Sequence, residues 1–209
     1  AEFVKAAKFM KQAVPEFRLL NTIATWTPLT DAQAISGAVD VTIDYEPRLT
    51  SRASAAEELE FLQKSGKPFY SYLCAFDGNA GAYLDYFRHR GIRAFLSGTD
   101  GFALWSTNSW RGNPWDNTED VKKAGAWVVM NGSDGPTPTR RFEMFREGAE
   151  DLFMLREAAK SNDPELRKLT SPECLQALLD GNRSDREEAL LAWREAILRG
   201  LDRVHGTEN

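Results

Sequence analysis

Cysteine and histidine are both scarce in this sequence. Its 209 residues contain two cysteines, Cys74 and Cys174, and two histidines, His89 and His205. The cysteine spacing indicates neither a metal-ligand set nor a disulfide framework, so two buried thiols are predicted. Neither histidine has a serine or cysteine nucleophile pattern beside it, and a catalytic triad is not expected. The sequence therefore predicts no metal and no cofactor.

Long apolar runs and an excess of positive charge are missing as well. Charged residues or glycine soon interrupt the longest apolar stretches, so no membrane-spanning segment is predicted. The formal net charge is -5, with Lys and Arg intermixed with Asp and Glu. No basic stripe is present to neutralise phosphates, and nucleic acid is not an expected partner. With 42% hydrophobic residues, the chain can bury a sizeable core.

The amino-terminal segment has apolar residues at helical spacing, from Phe3 to Val14. Charges are scattered through it, which is unlike a signal peptide. We expect the last turns of a helix here.

Strand and helix signals alternate along the first three quarters of the chain. Helix starts are indicated by two capping-box patterns, Thr30 to Gln33 and Ser54 to Glu57. Alternating strands and helices favour a parallel sheet with right-handed crossovers, hence an α/β fold, either a small open sheet or half of a barrel. The predicted strands cover residues 17–26, 38–45, 67–76 and 101–110, with an added short strand at 126–131, and the last helix of this region covers 139–160.

Several ordered motifs in the second half of this region resemble one family. An arginine-containing helix precedes a glycine-flanked strand that ends in Trp-x-x-Asn-x-Trp, and a Gly-x-x-Gly-Pro loop then leads into a charged helix. The whole resembles the end of the catalytic barrel of glycoside hydrolase family 123, over residues 17–160 and most strongly after 83. The residues that carry it are Arg88, Gly98, Gly101, Trp105, Asn108, Trp110, Gly132, Gly135, Pro136, Arg141, Glu143, Arg146, Gly148 and Asp151.

This resemblance implies a fold and a domain organisation. Residues 1–160 would form the carboxyl-terminal half of a (β/α) barrel, about four βα units, because a complete barrel has eight strands. Residues 161–209 would be a helical tail packed on the outside of the barrel, with its last helix apolar along one face. That face contains Leu190, Trp193, Ile197, Leu201 and Val204.

The resemblance also implies an activity. Family 123 includes β-N-acetylgalactosaminidases, so the implied ligand is a carbohydrate with a 2-acetamido sugar, and a secreted or periplasmic location is implied with it. In that family the sugar's own acetamido group attacks, an Asp stabilises it and the adjacent Glu protonates the leaving oxygen. No Asp-Glu dipeptide occurs in this sequence. No catalytic residue is therefore assigned to the chain, and an upstream half is expected to carry the acid pair.

The substrate-binding residues are expected at the carboxyl ends of the strands, where a barrel places its ligand contacts. Indole faces can stack on sugar rings and an amide can hydrogen-bond a hydroxyl. The alternative is that Trp105 fills the core and Trp110 anchors a loop. The predicted binding residues are Trp26, Tyr45, Glu46, Tyr72, Trp105, Asn108 and Trp110.

Asp44 and Glu46 form the one acidic pair at a strand end. Spacing of two along a strand would put both on one face, so they are an alternative catalytic pair. The favoured alternative is that Asp44 caps the loop and Glu46 is solvated. Structural ion pairs across one helical turn, including Glu143 to Arg146, are expected in the charged helix that contains Arg141, Glu143, Arg146 and Asp151.

Two functions remain open at this point. The chain is part of a family 123-like hydrolase that supplies binding aromatics, or it is a non-catalytic carbohydrate-binding or scaffold module. Four strands taken from a closed barrel would expose two sheet edges. The expected partner is an amino-terminal barrel half or a second copy of the chain, unless the tail helices cover the opening and give a monomer.

Overall fold

The computed structural model describes residues 2–74, 84–105, 129–180 and 183–206. Helices alternate with four strands, a two-stranded ribbon follows, and the carboxyl-terminal part is helical. The elements in chain order are α1 (Glu2–Ala13), β1 (Leu20–Ile23), α2 (Leu29–Ala38), β2 (Val41–Tyr45), α3 (Glu46–Thr50), α4 (Ala55–Ser65), β3 (Phe69–Cys74), α5 (Leu84–Ser97), β4 (Gly101–Trp105), β5 (Val129–Gly132), β6 (Gly135–Pro138), α6 (Arg140–Lys160), α7 (Pro164–Leu169), α8 (Pro172–Asp180) and α9 (Arg183–Gly206).

The chain divides into two compact units. The first comprises Ala1–Ala75 with Ser97–Trp105, and the second comprises Phe76–Leu96 with Ser106–Asn209. In the first unit, four parallel strands form one sheet in the order β1-β2-β3-β4. The predicted α/β fold with a parallel sheet is confirmed, whereas the closure of such a sheet into a barrel stays a prediction.

The second unit is built around a helical core. Its buried side chains come from α5, α6, α7, α8 and α9, so the last helix packs against several others through the apolar face seen in the sequence. The members of this core are Ile92, Leu155, Ala158, Leu166, Leu175, Leu178, Leu179, Leu190, Trp193 and Ile197. The division at residue 160 into a half barrel and a tail remains a prediction.

Helices α5 and α6 approach each other closely in this unit. A Cβ atom added at Gly91 would lie 1.9 Å from the carbonyl oxygen of Gly148, and one added at Gly148 would lie 2.6 Å from the carbonyl oxygen of Arg88. Both carbonyl oxygens belong to the backbone, so they cannot rotate away from an added Cβ atom as a side chain can. Glycine at these two positions therefore lets the two helix backbones come together.

Local structure departs from the sequence-based expectation at the helix starts. Helix α2 begins at Leu29 with Pro28 as its N-cap, so the capping box expected at Thr30 is not the one used. Ser54 does occupy the N-cap of α4, but its side chain makes no capping hydrogen bond. Its ψ of 6° lies outside the extended conformation that aims a capping hydroxyl into the first turn.

Two elements were not anticipated. Helix α3 follows β2 directly, with Pro47 in its first turn, where the missing proline N–H costs nothing. Strand β6 contains two prolines, which argue against a strand in a sheet interior. Among the described strands it pairs only with β5, in antiparallel orientation, and a two-stranded ribbon tolerates the prolines.

Candidate functional site at the carboxyl edge of the sheet

The carboxyl ends of the four parallel strands lie along one edge of the sheet. Tyr45 at the end of β2 is in register with Tyr72 of β3, and their ring centroids are 5.4 Å apart. In β4, Trp105 is in register with Cys74 at the end of β3. The sheet therefore brings three of the predicted binding residues to one edge, where parallel α/β sheets commonly bind their ligands.

Trp26 lies just beyond this edge, in the loop between β1 and α2. The strand ends at Ile23, earlier than predicted, so Trp26 belongs to a turn, and the residue is 82% exposed. An indole is large and apolar, and so strong an exposure leaves a flat surface open to solvent. Such a surface can accept the apolar face of a sugar ring.

The remaining predicted binding residues are Glu46, Asn108 and Trp110. Asn108 and Trp110 lie outside the described residues, and for Trp105 the strand position alone is described. Glu46 is 6% exposed in the first turn of α3, so the expectation that it is solvated was wrong. Because the chain turns into a helix at Glu46, the strand spacing that would pair it with Asp44 does not apply.

Asp44 belongs to a buried charge cluster on the opposite face of β2 from Tyr45. Its Oδ1 lies 2.9 Å from Arg48 Nε and accepts a 2.7 Å hydrogen bond from the Tyr45 amide. Arg48 Nη2 in turn donates to Glu58 Oε1 of α4 at 2.6 Å. All three side chains are almost wholly inaccessible to solvent. Asp44 is thus engaged with a helix of its own unit, which removes it as half of an acidic pair with Glu46.

This cluster holds one cation between two carboxyl groups. Burial raises the pKa of Asp44 to about 8, the negative charge of Glu58 adds to the rise, and Arg48 opposes it. One guanidinium can balance one carboxylate, so the second carboxyl is more stable when protonated. Near neutral pH the burial of this cluster therefore favours the protonated form of Asp44.

The sequence analysis did not predict a role for Arg48 or Glu58. The signal that could have found Arg48 is its spacing of four from Asp44, which suits an ion pair only if the intervening residues are helical. Because helix α3 was not predicted, the spacing of four did not indicate an ion pair between Asp44 and Arg48. The partner Glu58 comes from another helix and carries no local signal at all.

The motif residues of the second unit form a separate ion-pair network. Buried Asp151 is 3.2 Å from Arg88 Nε and 2.7 Å from Arg194 Nη1, and Arg88 also reaches Glu147 at 3.2 Å. Burial raises the pKa of Asp151, while both arginines oppose the rise. Arg146 pairs with Glu143 at 2.9 Å on the exposed side of α6. The predicted pairing of Glu143 with Arg146 is therefore confirmed, and Asp151 forms ion pairs with arginines of other helices.

No cluster of His, Cys, Asp or Glu in the described part of the chain could hold a metal ion. Cys174 is a free, partly buried thiol, and burial raises its pKa. Among the helices of the described ranges, none combines the length and apolarity needed to cross a membrane.

The fold resembles that of a solved glycoside hydrolase. A family 123 enzyme from Clostridium perfringens, whose structure bears on the details of glycolipid glycan hydrolysis, superposes with a TM-score of 0.62 at 11% sequence identity. The similarity covers 97% of this chain and 44% of that one, so the chain spans less than half of the solved enzyme. No curated protein is significantly similar in sequence.

The sequence itself decides the family. Residues 4–158, more than half of the 209, match the profile of "Glycoside hydrolase 123, catalytic domain". The match contains all four strands of the parallel sheet and most of α6. The chain therefore belongs to glycoside hydrolase family 123 and is a carbohydrate-active protein.

Proposed function

We propose that this chain forms the substrate-binding half of a glycosidase that hydrolyses glycans containing a 2-acetamido sugar, as the β-N-acetylgalactosaminidases of its family do. The observation that carries the proposal is the exposed indole of Trp26 beside the carboxyl ends of the strands. Tyr45 and Tyr72 extend the aromatic character of the same edge. Trp105, Asn108, Trp110 and Glu46 remain proposed contacts.

The proposed architecture is the carboxyl-terminal half of an eight-stranded barrel. Four parallel strands in sequential order are what half of such a barrel contains. Among the described strands, β1 pairs only with β2 and β4 only with β3, so each has one edge without a described neighbour. The coverage of less than half of the solved family member is consistent with this arrangement.

The acid pair of the reaction is proposed to come from another segment. No Asp-Glu dipeptide occurs in this chain, and Asp44 is committed to Arg48 inside the first unit. The reaction would be substrate-assisted: the 2-acetamido oxygen attacks the anomeric carbon while an acid protonates the leaving oxygen. This chain would hold the sugar in place for that step through its aromatic edge.

Replacing Trp26 tests the proposed binding site. We expect Trp26→Ala to weaken binding of methyl N-acetyl-β-galactosaminide by about 2 kcal/mol, roughly thirtyfold, because truncating a tryptophan at the centre of a binding surface costs on this order. Isothermal titration calorimetry measures the affinity. Phe17→Ala is the matched control, since Phe17 is also an exposed aromatic residue but precedes β1 at the opposite end of the strand. Equal affinities for Trp26→Ala and the unaltered chain would contradict the proposal.

The proposed half-barrel architecture predicts association, because half of a barrel has two open sheet edges. Sheet edges without neighbours expose rows of backbone hydrogen-bonding groups and are usually covered. We expect light scattering at micromolar concentration to show a dimer, or a complex when an amino-terminal barrel half is added. A monomer at all concentrations, with slow amide exchange along both β1 and β4, would argue against the half-barrel architecture.

A non-catalytic carbohydrate-binding module is the second candidate, favoured by the absence of the Asp-Glu pair. The two functions separate when the chain is combined with a segment that carries the pair. Hydrolysis of an N-acetylgalactosaminide by the combination supports the hydrolase. Binding without turnover supports the module.

A further inference from the structure

The loop that carries Trp26 has little to fix its conformation from within. It runs from the end of β1 at Ile23 to the start of α2 at Leu29 and contains one internal backbone hydrogen bond, from the Thr27 amide to the Ala24 carbonyl at 3.0 Å. The Trp26 side chain is mostly in solvent, so packing cannot orient it. Its position must be set by contacts to the loop backbone.

Arg48 provides the first of these contacts from inside the fold. Its Nη1 donates to the Thr27 carbonyl and lies 3.5 Å from the Ala24 carbonyl. The other nitrogen atoms of the same guanidinium are held by Asp44 and Glu58. A planar guanidinium held by two carboxyl groups is restricted in its rotation. Arg48 therefore presents a rigid donor to both ends of the turn.

Arg52 provides the second contact from the surface. Its Nη2 donates to the Thr25 carbonyl and lies 3.2 Å from the Thr25 hydroxyl oxygen. The carbonyls on both sides of Trp26, those of Thr25 and Thr27, are thus bound by arginines of the segment that follows β2. Hydrogen bonds from a charged donor are stronger than neutral ones, and two that flank one residue restrict its backbone on both sides.

We infer that Arg48 and Arg52 are positioning residues that hold the β1–α2 loop so that the Trp26 indole faces a sugar ring at the carboxyl edge of the sheet. The inference rests on the proposed function for the role of Trp26, but the ordering of the loop can be measured without any ligand. A simpler role for Arg48, to neutralise Asp44 and Glu58, would not involve Arg52. Variants of the exposed Arg52 therefore distinguish the positioning role from simple charge neutralisation.

The test uses the full chain labelled with 5-fluorotryptophan, with the Trp26 signal assigned by Trp26→Phe. In Arg52→Ala we expect the Trp26 fluorine line to shift and narrow, and chymotrypsin cleavage after Trp26 to become about tenfold faster. Arg18→Ala is the control, because Arg18 is an exposed arginine of the same unit near the opposite end of β1. Arg52→Lys should restore part of the protection, since lysine keeps one donor.

Arg48→Lys separates positioning from charge neutralisation. Lysine leaves a cation between the two carboxyls but cannot also span Ala24 and Thr27, so the loop should loosen while circular dichroism stays unchanged. Affinity for methyl N-acetyl-β-galactosaminide should fall about tenfold in Arg52→Ala, and adding Trp26→Ala should cause little further loss. Loop signals in Arg52→Ala identical to those of Arg18→Ala would overturn the inference. If the unaltered chain and Trp26→Ala bind the sugar equally, the proposed function fails, and the ligand-free measurements still decide whether the loop is held.

Discussion

Gly91→Ala is expected to destabilise the second unit by at least about 3 kcal/mol. The new methyl group would meet the backbone of Gly148 at 1.9 Å, so α5 and α6 would have to separate along their length. Overpacking typically costs about 1–3 kcal/mol, and here the obstructing atoms are backbone rather than a movable side chain. Separation would also stretch the Arg88 to Asp151 ion pair that joins the same two helices.

Thermal unfolding followed by circular dichroism checks this expectation. For a chain of this size, a loss of about 3 kcal/mol lowers the melting temperature by roughly 6–12 °C. The matched control is Gly37→Ala, since a Cβ at Gly37 in α2 would meet nothing within 4 Å. Alanine is the better helix former, so this control should be neutral or slightly stabilising. A melting temperature for Gly91→Ala equal to that of Gly37→Ala would contradict the close backbone approach.

The stability of the first unit is expected to fall as pH rises from about 4 to about 8. The pKa of Asp44 is raised by burial from 3.8 to about 8 in the folded chain. In this window the folded state binds a proton that the unfolded state has released, so the free energy of unfolding decreases with pH, by up to about 1.4 kcal/mol per pH unit. The decrease levels off as the pH passes about 8, because Asp44 then becomes ionised in the folded state as well.

Asp44→Asn removes this titration and keeps a side chain of the same shape. Urea unfolding between pH 4 and pH 8 should therefore show a flatter profile for the variant, with its largest relative gain in stability at pH 8. Burial also raises the pKa of Asp151, so its titration likewise lowers the free energy of unfolding as pH rises. The contribution of Asp44 is therefore given by the difference between the profiles of the unaltered chain and Asp44→Asn. Asp202→Asn, at an exposed position of α9, is the control. Parallel profiles for Asp44→Asn and Asp202→Asn would show that Asp44 does not hold the proton.

Much of the fold could be predicted because its signals are local. Strands β2, β3 and β4 lie within the predicted segments, and helix α6 begins one residue from the expected boundary. Apolar residues at helical spacing in α9 do enter a core. The ordered motifs led to the family, and the match over residues 4–158 confirms it. Periodicity and motif order are properties of neighbouring residues, so the sequence alone determined the α/β class and the family.

The candidate site depended on features that only the tertiary structure decided. The sequence placed Trp26 inside a strand, whereas the strand ends three residues earlier and exposes the indole. It offered Asp44 and Glu46 as a pair on one face, whereas α3 begins at Glu46 and Asp44 turns to Arg48. Glu58 joins that cluster from ten residues beyond Arg48, and Arg88 meets Asp151 from another helix across 63 residues. Contacts between residues distant in the chain depend on how the elements pack, and packing leaves no periodic trace in either partner's local sequence.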